Sequence, residues 1–218
     1  MLGIAVFTVA VVFGQTLGGL VVDRRGVGST GPRRITAGRI VGSVLMLAAV
    51  ILVVSTQFIG SVPLWLVLLP FAAGLAIPWQ QAVNGQVRVI SRSPMTATFL
   101  NFVVGTILLV LACTVHAALV GLPTEYPSNP ILYTGGLIGI GFISLGATLA
   151  PRIGVLVLGL GTISGQLIVA LLLDLILPAD GHPLDITTVV GTVITLVALA
   201  IATIPRNALR ASKGSLRP

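Results

Sequence analysis

The residues in this chain able to do chemistry are few, and most of them are amides. Gln80, Gln81 and Asn84 cluster together, Asn101 follows in the next apolar stretch, and Gln15 and Gln166 stand singly among small and aliphatic neighbours. At helical spacing Gln80 and Asn84 share a face, as do Gln81 and Gly85. A neutral amide donates and accepts hydrogen bonds without titrating. The chemistry on offer is therefore recognition of a polar solute along a path, or hydrogen bonding from helix to helix. The spacing alone admits both. Trp79 and Arg88 flank the segment, and Trp79, like Trp65, carries a ring that suits a membrane interface.

Charge-based chemistry has less to work with, since five acidic residues and two histidines are spread along the chain. Asp174 falls inside an apolar run and is the candidate for ion coupling, although it sits near the run's outer end, within reach of headgroups. Asp23 lies at a boundary beside Arg24, and His116 near an outer end, where solvation is the plainer reading. The third apolar run holds no glutamate, so an embedded acidic exchanger site is not supported. Covalent and metal chemistry has no foothold either. There is no His-Glu-x-x-His pair, no Gly-x-Ser-x-Gly elbow and no phosphate-binding loop, and Cys113 is the only cysteine. The chain reads as a non-enzyme with no cofactor and no metal.

The elements that must position these amides are apolar runs. Hydrophobic residues make up 56% of the chain and charged residues 8%, with a mean hydropathy of +1.11; an ordinary soluble domain is about a quarter charged. Seven runs have the length of about 20 residues that spans a bilayer: 2–22, 38–59, 62–83, 95–121, 130–150, 153–177 and 186–205. They are continuously apolar instead of alternating, which selects helices over an outer-membrane barrel. The fold class is all-α integral membrane. Pro70 and Pro78 remove backbone donors in the third helix and invite a kink, while Gly135, Gly136, Gly139 and Gly141 suit close packing in the fifth.

Charge sorts the loops. Arg24, Arg25, Arg33, Arg34 and Arg39 follow the first run, Arg88 and Arg92 the third, Arg152 the fifth, and Arg206, Arg210, Lys213 and Arg217 the last. Loop 55–62 is uncharged, 122–129 holds Glu125, and 178–185 holds Asp180 and Asp185. Positive residues stay cytoplasmic, so the N-terminus is expected outside and the C-terminus inside. The net charge of +7 is thus explained by loops and a tail, with no basic face for nucleic acid.

An internal repeat underlies the runs. Gly14-Gln15 followed by Asp23 is matched by Gly165-Gln166 followed by Asp174 at the same spacing, and Ile40-Val41-Gly42-Ser43-Val44 is matched by Val189-Val190-Gly191-Thr192-Val193. Each glutamine is flanked by a small-xxx-small pair, Gly14 with Gly18 and Gly161 with Gly165. If helices one and two repeat as six and seven, the unit has five helices. An odd number inverts the second copy, as in many transporters. On this reading residues 1–60 are the last two helices of an N-terminal repeat, 61–206 are a complete repeat and 207–218 are a basic cytoplasmic tail. Three N-terminal helices are then expected to be missing from the chain as it stands.

The segment Pro78-Trp79-Gln80-Gln81-Ala82-Val83-Asn84-Gly85-Gln86-Val87-Arg88, with Ser93-Pro94 and Asn101-Phe102-Val103-Val104-Gly105-Thr106 after it, resembles the YdcZ-like branch of the drug/metabolite transporter superfamily. The resemblance implies inverted five-helix units, a bacterial inner-membrane location and export of an unidentified small molecule. From the residues themselves, and not from the resemblance, Gln15, Trp79, Gln80, Gln81, Asn84, Asn101 and Gln166 are the substrate-path candidates. The expected partners are the lipid bilayer, a small-molecule substrate, and a second copy or another membrane protein. A non-transporting membrane subunit or an inactive remnant is the alternative.

Overall fold

The computed structural model describes residues 4–28, 31–55, 64–122, 127–176 and 186–204. Over them the chain forms seven α-helices: α1 Ile4–Arg25, α2 Ala37–Val54, α3 Leu64–Ser91, α4 Pro94–Val120, α5 Gly135–Ile153, α6 Val155–Ile176 and α7 Ile186–Thr203. A 3-10 turn, Pro130–Tyr133, precedes α5. The expected tail 207–218 and Glu125, Asp180 and Asp185 lie outside the described residues, as do the side chains of Trp65 and Asp174.

The helices begin where local chemistry permits. Thr36 accepts from the Arg39 amide at the start of α2, and Ser93 accepts from the Thr96 amide at the start of α4, with Pro94 in the first turn. Both satisfy amides that a helix start leaves unpaired. The main departure from expectation is α3, which runs to Ser91 instead of stopping near 83. Hydropathy falls there, yet the residues that follow tolerate a helix, and the break comes only at Arg92, whose φ is 55°. At 1.5 Å per residue α3 is about 42 Å long, enough to carry Arg88 beyond the hydrocarbon into the headgroups.

Among the described residues, four helices are long and apolar enough to cross a membrane: Val6–Arg25, Pro94–Val120, Pro130–Ile153 with its leading 3-10 turn, and Val155–Leu173. α2 and α7 are shorter apolar helices over the described residues. α4 touches only its neighbours α3 and α5 to any extent, and its Val104, Leu108, Leu111 and Leu119 are all exposed. In water each such side chain would forgo about 1.5–3 kcal/mol of burial. Against lipid it forgoes nothing, which is why a helix this bare is stable in a bilayer.

The core has two buried clusters, one from α1, α2, α6 and α7 and one from α1, α3, α5 and α6. Val12 of α1, Met46 and Val50 of α2, Leu156, Leu160 and Ile163 of α6, and Ala198 and Ala202 of α7 form one buried cluster. α1 and α3 run parallel at backbone contact: a Cβ on Gly14 would strike the Phe71 carbonyl oxygen, one on Gly74 the Val11 carbonyl oxygen, and Gly18 lies against Leu75 and Pro78. α1 and α6 run antiparallel, with Gly19 on Leu156 and Gln15 on Gly159. α2 and α7 also run antiparallel, and their contacts are exchanged: Gly42 faces the Ala198 carbonyl and Gly191 faces the Ala49 carbonyl. The shift in numbering that carries Gly42 onto Gly191 also carries Ala49 onto Ala198.

Small residues do not all pack as expected. Of the four glycines assigned to packing in α5, only Gly139 has a neighbour, the Phe102 ring. Gly135, Gly136 and Gly141 have nothing within 4 Å of a built Cβ. Gly161 and Gly165 are equally bare, in contrast to Gly14 and Gly18. Glycine spacing permits a close approach, but the neighbour has to come from elsewhere in the fold.

Candidate functional site

The amides assemble in part. Asn101 of α4 points its Oδ1 at α3, where it accepts from Gln80 Nε2 at 2.8 Å and Asn84 Nδ2 at 3.1 Å. Asn84 is buried, Asn101 half-buried and Gln80 exposed. A second polar link, Thr98 to Ser144 at 2.8 Å, ties α4 to α5. Such contacts inside a membrane are worth about 0.6 kcal/mol each, up to about 1.7. Gln81 is on another face of α3: it is buried, and its Oε1 has no hydrogen-bond partner. A buried carbonyl left this way costs about 1–3 kcal/mol unless water or a solute supplies a donor.

The remaining candidates stand apart. Gln15 is buried where α1 crosses α6, its amide against Gly159. Gln166 lies two turns further along α6, exposed on a groove between α5, α6 and α7. The two glutamines are therefore not brought together, because α1 and α6 cross at Gly159 and not at Gly165. Trp79 is 56% exposed and turned outward. Asp174 belongs to α6 by its backbone, but its side chain lies outside the described residues.

Among the described residues, the most densely bonded polar side chain is one that the sequence reading placed at a boundary and did not count among the site candidates. Asp23 is buried and pairs with Arg39 at 2.9 Å, across the loop, instead of with adjacent Arg24. Its carboxylate also accepts from the Val155 amide at 2.8 Å and the Leu156 amide at 3.4 Å, capping the start of α6. One residue, Gly154, separates α5 from α6, with φ at 89°. Arg33 closes the other half of this junction, donating from Nη2 to the carbonyls of Pro151 and Arg152 at 2.9 and 3.1 Å. A carboxylate at a helix start and a guanidinium at a helix end both complement the helix dipole. One signal was available: Pro151-Arg152-Ile153-Gly154 offers α6 no capping side chain of its own, so an acceptor had to arrive from elsewhere.

These contacts, with Gly28 against Ala82 and Gly85 against Pro151, gather the arginine-bearing ends of α1, α3 and α5 and the start of α2 at one end of the bundle. Lipid-facing apolar helices, interior amides and an arginine-rich end define a polytopic helical membrane protein. Residues 1–52 and 65–201 match the family described as "Putative inner membrane exporter, YdcZ", and the chain belongs to that family. It is accordingly of the drug/metabolite transporter type and of the inner membrane. No curated protein and no solved structure matches it.

Proposed function

We propose that the chain exports a small molecule by alternating access, with its N-terminus outside and its C-terminus cytoplasmic. The observation that carries this reading is the exchange of partners between α2 and α7, Gly42 on Ala198 and Gly191 on Ala49. Two segments that swap equivalent contacts while running antiparallel are related by a pseudo-two-fold axis in the membrane plane. That symmetry lets one sequence plan open toward either side. Residues 1–60 then belong to one repeat and 61–206 to the other, with 207–218 a cytoplasmic tail.

In this reading the Asp23 cap on α6, held in place by the Asp23–Arg39 pair within the first repeat, closes the cytoplasmic end, because the cap joins α1 of the first repeat to α6 of the second. Opening inward requires that junction to part. The path runs past Gln15 and Gln81, whose free carbonyl would accept from solute, to Gln80, Asn84 and Asn101, with Trp79 at the rim and Gln166 on the outer face of α6. Asp174 is the group proposed for ion coupling.

The test is solute flux into everted vesicles across a panel of radiolabelled amphipathic solutes, with Gln81, Asn84 and Gln166 changed singly to Ala. At least one solute should move above empty vesicles. Loss of one solute hydrogen bond, about 1.4 kcal/mol, should lower its kcat/KM about ten-fold. Unchanged flux in all three normally inserted variants would show that the path lies elsewhere. Absence of flux for every solute, with stable co-purification of another membrane protein, would replace export by a subunit role.

A further inference from the structure

A cavity of about 440 Å³ lies where the start of α2 meets the α5–α6 junction and the end of α7. Most of its polar lining comes from one short stretch of chain, with Arg33, Arg34, Thr36 and Arg39. Its apolar lining comes from elsewhere: Ile153 and Val157 at the junction, Ala202 and Ile204 at the end of α7. The volume is that of a small-molecule site.

The three arginines have bonding capacity to spare. Arg33 commits Nη2 to the carbonyls of Pro151 and Arg152, and Arg39 commits Nη1 to Asp23. Arg34 is exposed and has no hydrogen bond or ion pair among the described residues. Guanidinium groups beside a helix end often cap its last carbonyls, but none of the three is bonded to α7 among the described residues. Asp23 offsets one of the positive charges, and no other ion pair reaches them among the described residues. The first turn of α2 holds no acidic residue, so the positive end of its dipole adds to the same field.

We propose that this cavity binds the phosphodiester anion of an acidic phospholipid. The phosphate sits on Arg34, with Arg33 and Arg39 beside it, and the glycerol and first acyl carbons lie against Ile153, Val157 and Ile204. A guanidinium fork matches two phosphate oxygens at once. Thr36 Oγ1 already accepts from the Arg39 amide, which leaves its hydroxyl proton to donate. The apolar lining selects lipid over free phosphate, because a phosphate ion is hydrated on every side and gains nothing beside aliphatic carbon. A lipid turns apolar just past its phosphate. Basic pockets between helices at a membrane face suit such headgroups. The proposal depends neither on what the chain exports nor on what fills the larger groove along α6.

The experiment uses the full chain, delipidated in dodecylmaltoside and titrated with single lipids, with binding read by native mass spectrometry. Dioleoylphosphatidylglycerol is the probe. Dioleoylphosphatidylcholine, whose choline cation cancels its phosphate, is the comparison. The parent should bind one phosphatidylglycerol at least about ten-fold tighter than phosphatidylcholine, and Arg34→Gln should lose about ten-fold of that affinity with the charge-assisted bonds. Arg34→Lys should recover part of the loss, as a point charge without the fork. Arg25→Gln, at an exposed arginine outside the cavity, should leave the affinity unchanged. Without lipid, both glutamine variants should unfold at the parent's temperature, since neither arginine has a bond to lose. Equal affinity for the two lipids, or equal losses at Arg34 and Arg25, would mean that the basic end attracts lipid without a site. Displacement of the lipid by equimolar inorganic phosphate would assign the cavity to a soluble phosphate compound. A lower unfolding temperature for Arg34→Gln alone would make Arg34 a structural residue. Any of these three results overturns the proposal. Binding in micelles needs no transport, so its failure alongside normal flux would leave the export reading untouched.

Discussion

Replacing Asp23 by alanine is the sharpest test of the arginine-end junction, because three bonds converge on one buried carboxylate. The side chains of Arg39 and Asp23 are 13% and 5% exposed, so the pair counts as buried, and removing one partner of a buried pair costs about 3–5 kcal/mol. Of this, the unpaired Val155 amide, whose bond to Asp23 is 2.8 Å, accounts for about 1–3 kcal/mol. Asp23→Asn should cost less, since asparagine caps a helix start nearly as well as aspartate and loses only the ionic part of the contact to Arg39. Arg39→Ala should be milder than Asp23→Ala, because the carboxylate keeps both amides and the favourable end of the α6 dipole. The measurement is reversible unfolding in mixed dodecylmaltoside–dodecylsulfate micelles, followed by tryptophan fluorescence, with the double variant completing the cycle. A coupling of about 1.5–3 kcal/mol between positions 23 and 39 is expected for a hydrogen bond between charged groups. If Asp23→Ala unfolds within about 0.5 kcal/mol of the parent, or the coupling vanishes, the junction does not hold this end of the bundle together.

Three further outcomes are expected. Gly14→Ala places a Cβ against the Phe71 carbonyl with only backbone to yield, and should destabilise by about 1–3 kcal/mol in the same unfolding assay. Gly105→Ala on the open face of α4, with nothing within 4 Å, should be neutral or stabilise by up to about 1 kcal/mol; equal effects would remove the distinction between packed and lipid-facing glycines. In a Cys113→Ser background, Ser212→Cys should react with a charged maleimide in everted vesicles and not in right-side-out ones, the reverse pattern placing the tail outside.

Much of the fold was legible because its determinants are local. Seven apolar runs of spanning length need no tertiary information, since any unsatisfied backbone group in hydrocarbon forces each run to be a helix. The family likeness sat in the contiguous stretch 78–106. The amides of α3 could be placed on shared faces by the helical period alone; that Asn101 meets Gln80 and Asn84 came from the packing of α4 on α3. The limit of local reading appears at residue 83, where hydropathy ended and the helix did not, because falling out of hydrocarbon does not unwind a chain that still prefers to be helical.

What the tertiary structure alone decided is which partner each of these local features found. Gly14 and Gly165 have like sequence surroundings, yet one is pressed on α3 and the other lies open, since a glycine records only that an approach is allowed. Asp23 sits beside Arg24 in sequence and bonds instead to Arg39 and to the start of α6, more than 130 residues away. Burial and a helix start short of acceptors outweigh adjacency. Hydropathy and period act within a segment, and so the sequence by itself determined the helices and their polar faces. Pairing depends on where other segments lie once packed, and only the folded bundle could settle that.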